Sequence, residues 1–389
     1  MLKIQPVHVK SACFKYVLFV FCISCVVPLM LSGQAIDPVQ AKLDSLCKAA
    51  NYPGISVAVA YANGKVKSYT SGYADTAKHI KLTANSLLLQ GSVGKTYVAA
   101  IAMQLISGGK IKLQDKASQY LGNETWFHRL PNAADITIEM LMKHTSGIMR
   151  YEFKEAFTKD LTAKPYKVWQ PVELLSYIFD EKPAFKAGEN WEYADTNYII
   201  LGMIIEKITG KTYYSLMQKQ LLDKFKLRDT HPSNKIKLPG LVQGYAGIDN
   251  AFGNQSLMIK ANGEMVVNPQ FEWTGGGIYS TTADLAKWCK LLYEGKAFDP
   301  ALLPVILNGV PAKMLGANTT YGLGVIIKQS AAFGMYYGHS GFFPGYLTEM
   351  YYFPKYKMAI VVQTNSSDFK SIRKSPHRIL LDIGALVLK

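Results

Sequence analysis

The chain has 389 residues, a formal net charge of +15 from 43 Lys and Arg against 28 Asp and Glu, and 49% hydrophobic residues. That length and apolar content exclude a disordered chain and allow one large domain or two lobes with a substantial core. The lysines are spread singly rather than in blocks, which reads as a solvated surface attracted to an anionic envelope polymer, not as a nucleic-acid site.

The N-terminus reads as an export signal. Lys3, Lys10 and Lys15 precede the apolar run from Tyr16 to Leu31, and no acidic residue occurs before Asp37. Small residues Gly33 and Ala35 then stand two apart, the spacing of a signal-peptidase site. The run is short against the roughly 20 residues of a spanning helix, and Pro28 interrupts it. A signal peptide over 1–35 and an exported, periplasmic or secreted, mature chain over 36–389 are expected; an uncleaved membrane anchor is the alternative. Cys13, Cys22 and Cys25 fall in this segment. The remaining Cys47 and Cys289 lie in apolar helical patterns and read as buried thiols, with a disulfide as the alternative. The histidines have no metal-ligand spacing, so neither metal nor other cofactor is expected.

In chain order, residues 36–51 predict an amphipathic helix, with Val39, Leu43, Leu46 and Cys47 on one face. The stretch GISVAVAYANGKVKSYTSG predicts a β-hairpin turning at Asn63-Gly64. A buried helix follows from Ser92 to the stop at Gly108-Gly109. Further helices are predicted over ITIEMLMKHTSGI closing at Gly147, PVELLSYIF opened by Pro171, TNYIILGMIIEKITG with Asp195 as N-cap and Gly210 as stop, and the segment capped by Thr281 or Thr282. MYYGHSG, GYLTEMYYF and KMAIVVQTN have strand character, and a helix over Arg378 to Leu388 closes the chain. The assembly this implies is α/β (α+β). One antiparallel sheet combines the N- and C-terminal strands under flanking helices (36–88 plus 310–389), and a mainly helical lobe (89–309) is inserted.

The segment GSVGKT, Gly91 to Thr96, resembles the end of a phosphate-binding loop, but Leu89 stands where that loop needs its first glycine. It also contains Ser92-Val93-Gly94-Lys95. A serine and a lysine at this spacing share a helical face, and a helix N-terminus favours an alkoxide or oxyanion. The spacing alone is unspecific, since it recurs at Ser45/Lys48, Ser107/Lys110, Ser367/Lys370 and Ser371/Lys374. Two further stretches carry chemistry: Tyr193 in GENWEYADTNY, a phenol able to relay protons, and His339 in YYGHSGFFPGY, at a strand edge beside small residues. His144 in KHTSG reads as structural, bracing the loop near the site.

Together these stretches resemble the penicillin-recognising serine hydrolases, in the branch joining class C β-lactamases, D-alanyl-D-alanine carboxypeptidases and related esterases. LMKHTSGI, TGGGIYSTTADLAKW, YGLGV and GHSGFFPGY extend the likeness from about Leu43 to Asn365. The resemblance implies a β-lactamase/transpeptidase-like fold. It also implies that Ser92 is acylated and that Lys95 and Tyr193 act as a coupled acid–base pair. The N–H groups of Ser92 and Phe342 would form the oxyanion hole, with substrate laid along His339, Ser340 and Gly341. Two departures stand out: Asp195 replaces the usual asparagine of the tyrosine motif, and His339 replaces the lysine of typical class C β-lactamases. A carboxylate cannot donate to a substrate carbonyl and would hold Lys95 charged. The histidine form resembles the carboxypeptidase- and esterase-like members, so a D-alanyl-D-alanine carboxypeptidase-like activity on cell-wall peptides is expected first, an esterase second and a β-lactamase third. A non-catalytic penicillin- or peptidoglycan-binding protein is the alternative of another class.

Overall fold

The computed structural model describes residues 1–6, 8, 10 and 37–389, so the expected signal segment lies largely outside the described residues. Residues 37–389 form one compact unit. Among the described residues no helix is long and apolar enough to cross a membrane.

Helix α1 (Pro38–Ala50) starts where Asp37 accepts a hydrogen bond from the Val39 N–H (2.9 Å) and ends at Asn51 in left-handed conformation. The expected hairpin follows as β1 (Gly54–Ala60) and β2 (Val66–Asp75), turning through Gly64 at φ +84. The short β3 (Ile80–Lys81) and β4 (Leu88–Leu89) lead to the buried helix α2 (Lys95–Ser107). Helix α3 (Asp195–Thr209), strands β5 (Thr230–Pro232) and β6 (Ile278–Ser280), and helix α4 (Thr282–Tyr293) complete the middle. The chain ends with β7 (Val310–Pro311), β8 (Thr319–Tyr321), β9 (Ile326–Ser330), β10 (Gly334–Phe343), β11 (Tyr346–Phe353), β12 (Met358–Thr364) and helix α5 (Pro376–Val387).

The main sheet runs β3-β2-β1-β12-β11-β10-β9-β8-β7, antiparallel throughout. The first and last strands of the core meet at β1 and β12, in register from Ile55 opposite Thr364 to Ala60 opposite Ala359. Successive side chains of a strand face opposite sides, and both sides are covered here. Ile55, Val57 and Val59 join Ile360 and Val362 in the cluster under α1 and α5. Ala58, Ala60, Ala359 and Val361 pack on the other side, where α4 lies against β1, β11 and β12. The two free cysteines are separated by this sheet, Cys47 in the first cluster and Cys289 in the second, so no disulfide joins them.

Two local expectations are corrected. The helix predicted to close at Gly147 ends at Lys143, because His144 takes the left-handed conformation (φ +61). Asp195 does not cap α3: Ala194 holds the cap position, and the Asp195 side chain is drawn away to Lys95. The small sheet β4-β6-β5 was not foreseen, its strands having only two or three residues.

Candidate active site

β4 delivers the chain into a single 3₁₀ turn, Gly91–Gly94, that continues directly into α2. This turn is wedged against the edge of β10. Gly91 has φ +53, and a Cβ there would lie 2.4 Å from the Phe342 carbonyl oxygen; one on Gly341 would lie 1.8 Å from the Gln90 oxygen. Glycine is required at both positions by this close approach. Ser92 is thereby fixed beside the backbone of Gly341 and Phe342. Strand β9 pairs with β10 only as far as Gly338, so residues 339–343 present an edge unpaired by β9.

Lys95 is fully buried and uses all three ammonium hydrogens. Nζ donates to Ser92 Oγ (3.0 Å), to Asp195 Oδ1 (2.6 Å) and to the Gly275 carbonyl. Burial alone would push this ammonium down, but the Asp195 carboxylate and the Tyr193 phenol outweigh it and hold Lys95 above its ordinary range. The Ser92 oxygen accepts from Lys95, so its own proton points elsewhere. Tyr193 packs on the imidazole of His144 (centroids 4.2 Å apart), with Lys95 Nζ 5.0 Å from its ring centre. Its hydroxyl is buried and has no hydrogen-bond partner among the described residues. Burial, only partly offset by Lys95, pushes this phenol up to about 12.

His339 lines the cavity with both of its ring nitrogens engaged inside the protein. Its Nδ1 lies 2.6 Å from the Ser340 carbonyl oxygen and its Nε2 lies 2.9 Å from the Tyr321 hydroxyl. A carbonyl only accepts, so Nδ1 carries the proton and Nε2 accepts from Tyr321. The Tyr321 oxygen then accepts from His144 Nε2 (3.3 Å), and His144 Nδ1 accepts from the Ala194 N–H (3.3 Å). Both imidazoles are thus neutral and fully engaged. Burial first, and Lys95 second, hold His339 down to about 3 and His144 well below its usual value. The chain ties the residue after Tyr193 to the edge strand, giving His144 the bracing role expected of it.

Of the eight residues singled out in the sequence, seven line one cavity of about 650 Å³: Ser92, Tyr193, Asp195, His339, Ser340, Gly341 and Phe342. Lys95 lies buried beneath it. None of the other four Ser/Lys pairs borders the cavity. Sequence reasoning missed Arg150, Glu152 and Glu272, which also line it. Glu152 Oε1 accepts from Arg150 Nε (2.9 Å) and from the Asp195 N–H (3.2 Å), while its Oε2 is buried without a partner among the described residues. Burial, with Asp195 nearby, raises both carboxyls, Glu272 to about 8. Glu272 precedes Trp273, whose φ of +34 is a strained conformation for a non-glycine residue, and this turn presents the Gly275 carbonyl to Lys95. Only the TGGG run hinted at this close-packed turn. Nothing in the spacing marked the two glutamates.

A family model described as Beta-lactamase matches residues 39–384. The chain belongs to the beta-lactamase family. As a member it is a serine hydrolase and a homologue of penicillin-binding proteins. Teichoic acid D-alanine hydrolase of Staphylococcus aureus is 27% identical over 351 residues, covering 88% of this chain and 78% of that protein. Penicillin-binding protein 4* of Bacillus subtilis is 25% identical over 319 residues, covering 77% of this chain and 65% of that protein. Among solved structures, D-stereospecific amidohydrolase from Streptomyces sp. superposes with a TM-score of 0.77 at 21% identity, covering 90% of this chain and 99% of that one. D-amino acid amidase from Ochrobactrum anthropi SV3 superposes with a TM-score of 0.75 at 24% identity, covering 90% and 98%. These superpositions place the fold: a large antiparallel sheet with a helical region, β-lactamase/transpeptidase-like.

Proposed function

We propose that this beta-lactamase-family enzyme is exported and hydrolyses esters or amides whose acyl group is a D-amino acid with a free ammonium, through an acyl-enzyme on Ser92. Ser92 Oγ forms a bond to the acyl carbon, the carbonyl oxygen turns to the N–H groups of Ser92 and Phe342, and the leaving group departs with a proton. Water then attacks the acyl carbon, releasing the D-amino acid and restoring the serine. Lys95 remains a fixed cation beside the serine oxygen, and Tyr193, whose hydroxyl has no hydrogen-bond partner among the described residues, carries the proton between serine, leaving group and water.

The observation that carries this substrate class is the pair of carboxyl groups bordering the cavity. Glu152 and Glu272 border it, Glu152 has an unpartnered carboxylate oxygen, and both carboxyls are raised by burial and by Asp195. A substrate ammonium would relieve that repulsion. His339 offers neither a charge nor an unused nitrogen to a terminal carboxylate, which ranks D-alanyl-D-alanine carboxypeptidase activity below the ester or amide reaction. The relative that cleaves D-alanine from teichoic acid supports the same acyl group.

A second reading rests on Arg150. Only its Nε is engaged in a hydrogen bond among the described residues, and it lines the cavity. It could receive the carboxylate of a D-alanyl-D-alanine peptide from cell-wall material.

One experiment separates the two. The purified protein is given a D-alanyl ester, D-alanine p-nitroanilide, a D-alanyl-D-alanine peptide and a chromogenic cephalosporin, and the Ser92 adduct is followed by mass spectrometry. The D-aminoacyl ester or amide is expected to have the highest kcat/KM. Faster turnover of the peptide, lost in Arg150→Ala, would establish the second reading instead.

A further inference from the structure

The cavity is far larger than an alanyl group requires. Ligand sites of about 300–1,000 Å³ hold molecules of drug size, and this one has a volume of about 650 Å³. Its floor is apolar: Phe157, Leu161, Phe252 and Phe271 all line it and are at most 5% exposed. The phenyl rings hold one another edge-to-face, with Phe271 5.7 Å from Phe157 and 6.4 Å from Phe252 between centroids. The floor is therefore a rigid, pre-formed surface. At the mouth Phe153 is 70% exposed, and the Arg150 guanidinium lies 3.8 Å from its ring centre.

Both carboxyls and two of the three floor phenyl groups, Phe157 and Phe271, come from the same two short segments. Glu152 is adjacent to Phe153 and five residues before Phe157, and Glu272 follows Phe271 directly. An ammonium held between the carboxyls therefore places the rest of its amino acid against aromatic carbon. A methyl side chain would leave most of that surface in water, whereas a phenyl or branched alkyl group would cover it.

From this juxtaposition we infer that the acyl pocket takes an amino acid with a bulky apolar side chain, aromatic or branched alkyl, in preference to alanine. The inference rests on the D-aminoacyl reading above for the ammonium, but not for the apolar floor, and the two can be tested apart.

The test uses two matched substrate series with the full-length protein. The first compares D-phenylalanyl with D-alanyl p-nitroanilide. The second removes the amine and compares 3-phenylpropanoyl with propanoyl p-nitrophenyl ester. In each series that is turned over, the aryl member is expected to exceed the methyl member in kcat/KM by about 10- to 100-fold, the value of burying a phenyl group. Thr158→Trp fills the cavity from a half-exposed helical position outside the catalytic group. It is expected to lower kcat/KM for the aryl members far more than for the methyl members, abolishing the aryl advantage. If only the amine-free series reacts and the aryl ester wins, the D-aminoacyl reading fails and the apolar pocket stands. Equal or faster turnover of the methyl members, or a folded Thr158→Trp variant that slows both members in proportion, would overturn the inference.

Discussion

Lys95 Nζ lies 2.6 Å from Asp195 Oδ1, and this buried pair sets the state of the whole centre. With Asp195 as its counter-charge, Lys95 is held as an ammonium rather than as a free base. Because its folded value is raised, the pair contributes stability that is fully present below the ordinary lysine value of 10.5 and is lost as pH rises through the folded one. Asp195→Asn keeps a hydrogen-bond acceptor but removes the charge. It is expected to destabilise the fold by about 3 kcal/mol and to shift the alkaline limb of acylation to lower pH, as burial then dominates Lys95. Denaturant unfolding and single-turnover acylation across pH check both; an unchanged limb would contradict the assignment.

Tyr193 offers a separation of activity from stability. Its hydroxyl is buried without a hydrogen-bond partner among the described residues, so Tyr193→Phe removes an unsatisfied group and is expected to leave the melting temperature level or raised. Activity is expected to fall by about 10²–10⁴-fold, the range for losing a proton carrier. A variant with intact kcat would move the proton transfer elsewhere.

The turn at Ser92 has no room at its contact with the edge strand. In Gly341→Ala the added Cβ would overlap the Gln90 carbonyl, pushing β10 and the Phe342 N–H away from Ser92. Loss of one oxyanion donor costs about 10²–10³ in kcat, and a drop of this size together with a lower melting temperature is expected. Steady-state kinetics on an ester with a good leaving group give the measurement.

Stability is expected to depend on pH from both sides. His339 titrates near 6.5 when unfolded and near 3 when folded, so the unfolded chain binds more protons in between and stability falls as pH drops from 6.5 toward 3. His144 acts in the same direction. Glu272 works oppositely: its folded value of about 8 exceeds the ordinary 4.5, so stability falls as pH rises between them. His339→Gln should flatten the acid slope, and Glu272→Gln should raise stability more at pH 8 than at pH 5. Melting temperatures from pH 4 to 9 would show whether these slopes change.

The sequence by itself determined the elements and the three polar motifs. The hairpin at Asn63-Gly64, the apolar helix after Ser92 and the C-terminal strands are written in local periodicity and turn chemistry, and these need no distant partner to be recognised. The order of the motifs then singled out Ser92/Lys95 among five Ser/Lys pairs, the one whose serine lines the cavity. Only the tertiary structure decided what the side chains do. It turned Asp195 from a helix cap into the partner of a lysine 100 positions away. It consumed both nitrogens of His339 in a buried chain through Tyr321 and His144. It also brought Glu152, Glu272 and a floor of phenyl rings to the same cavity as Ser92. The physical reason is range. Periodicity and capping act over a few residues, while charge state and hydrogen-bond direction depend on burial and on whichever distant groups the fold brings close.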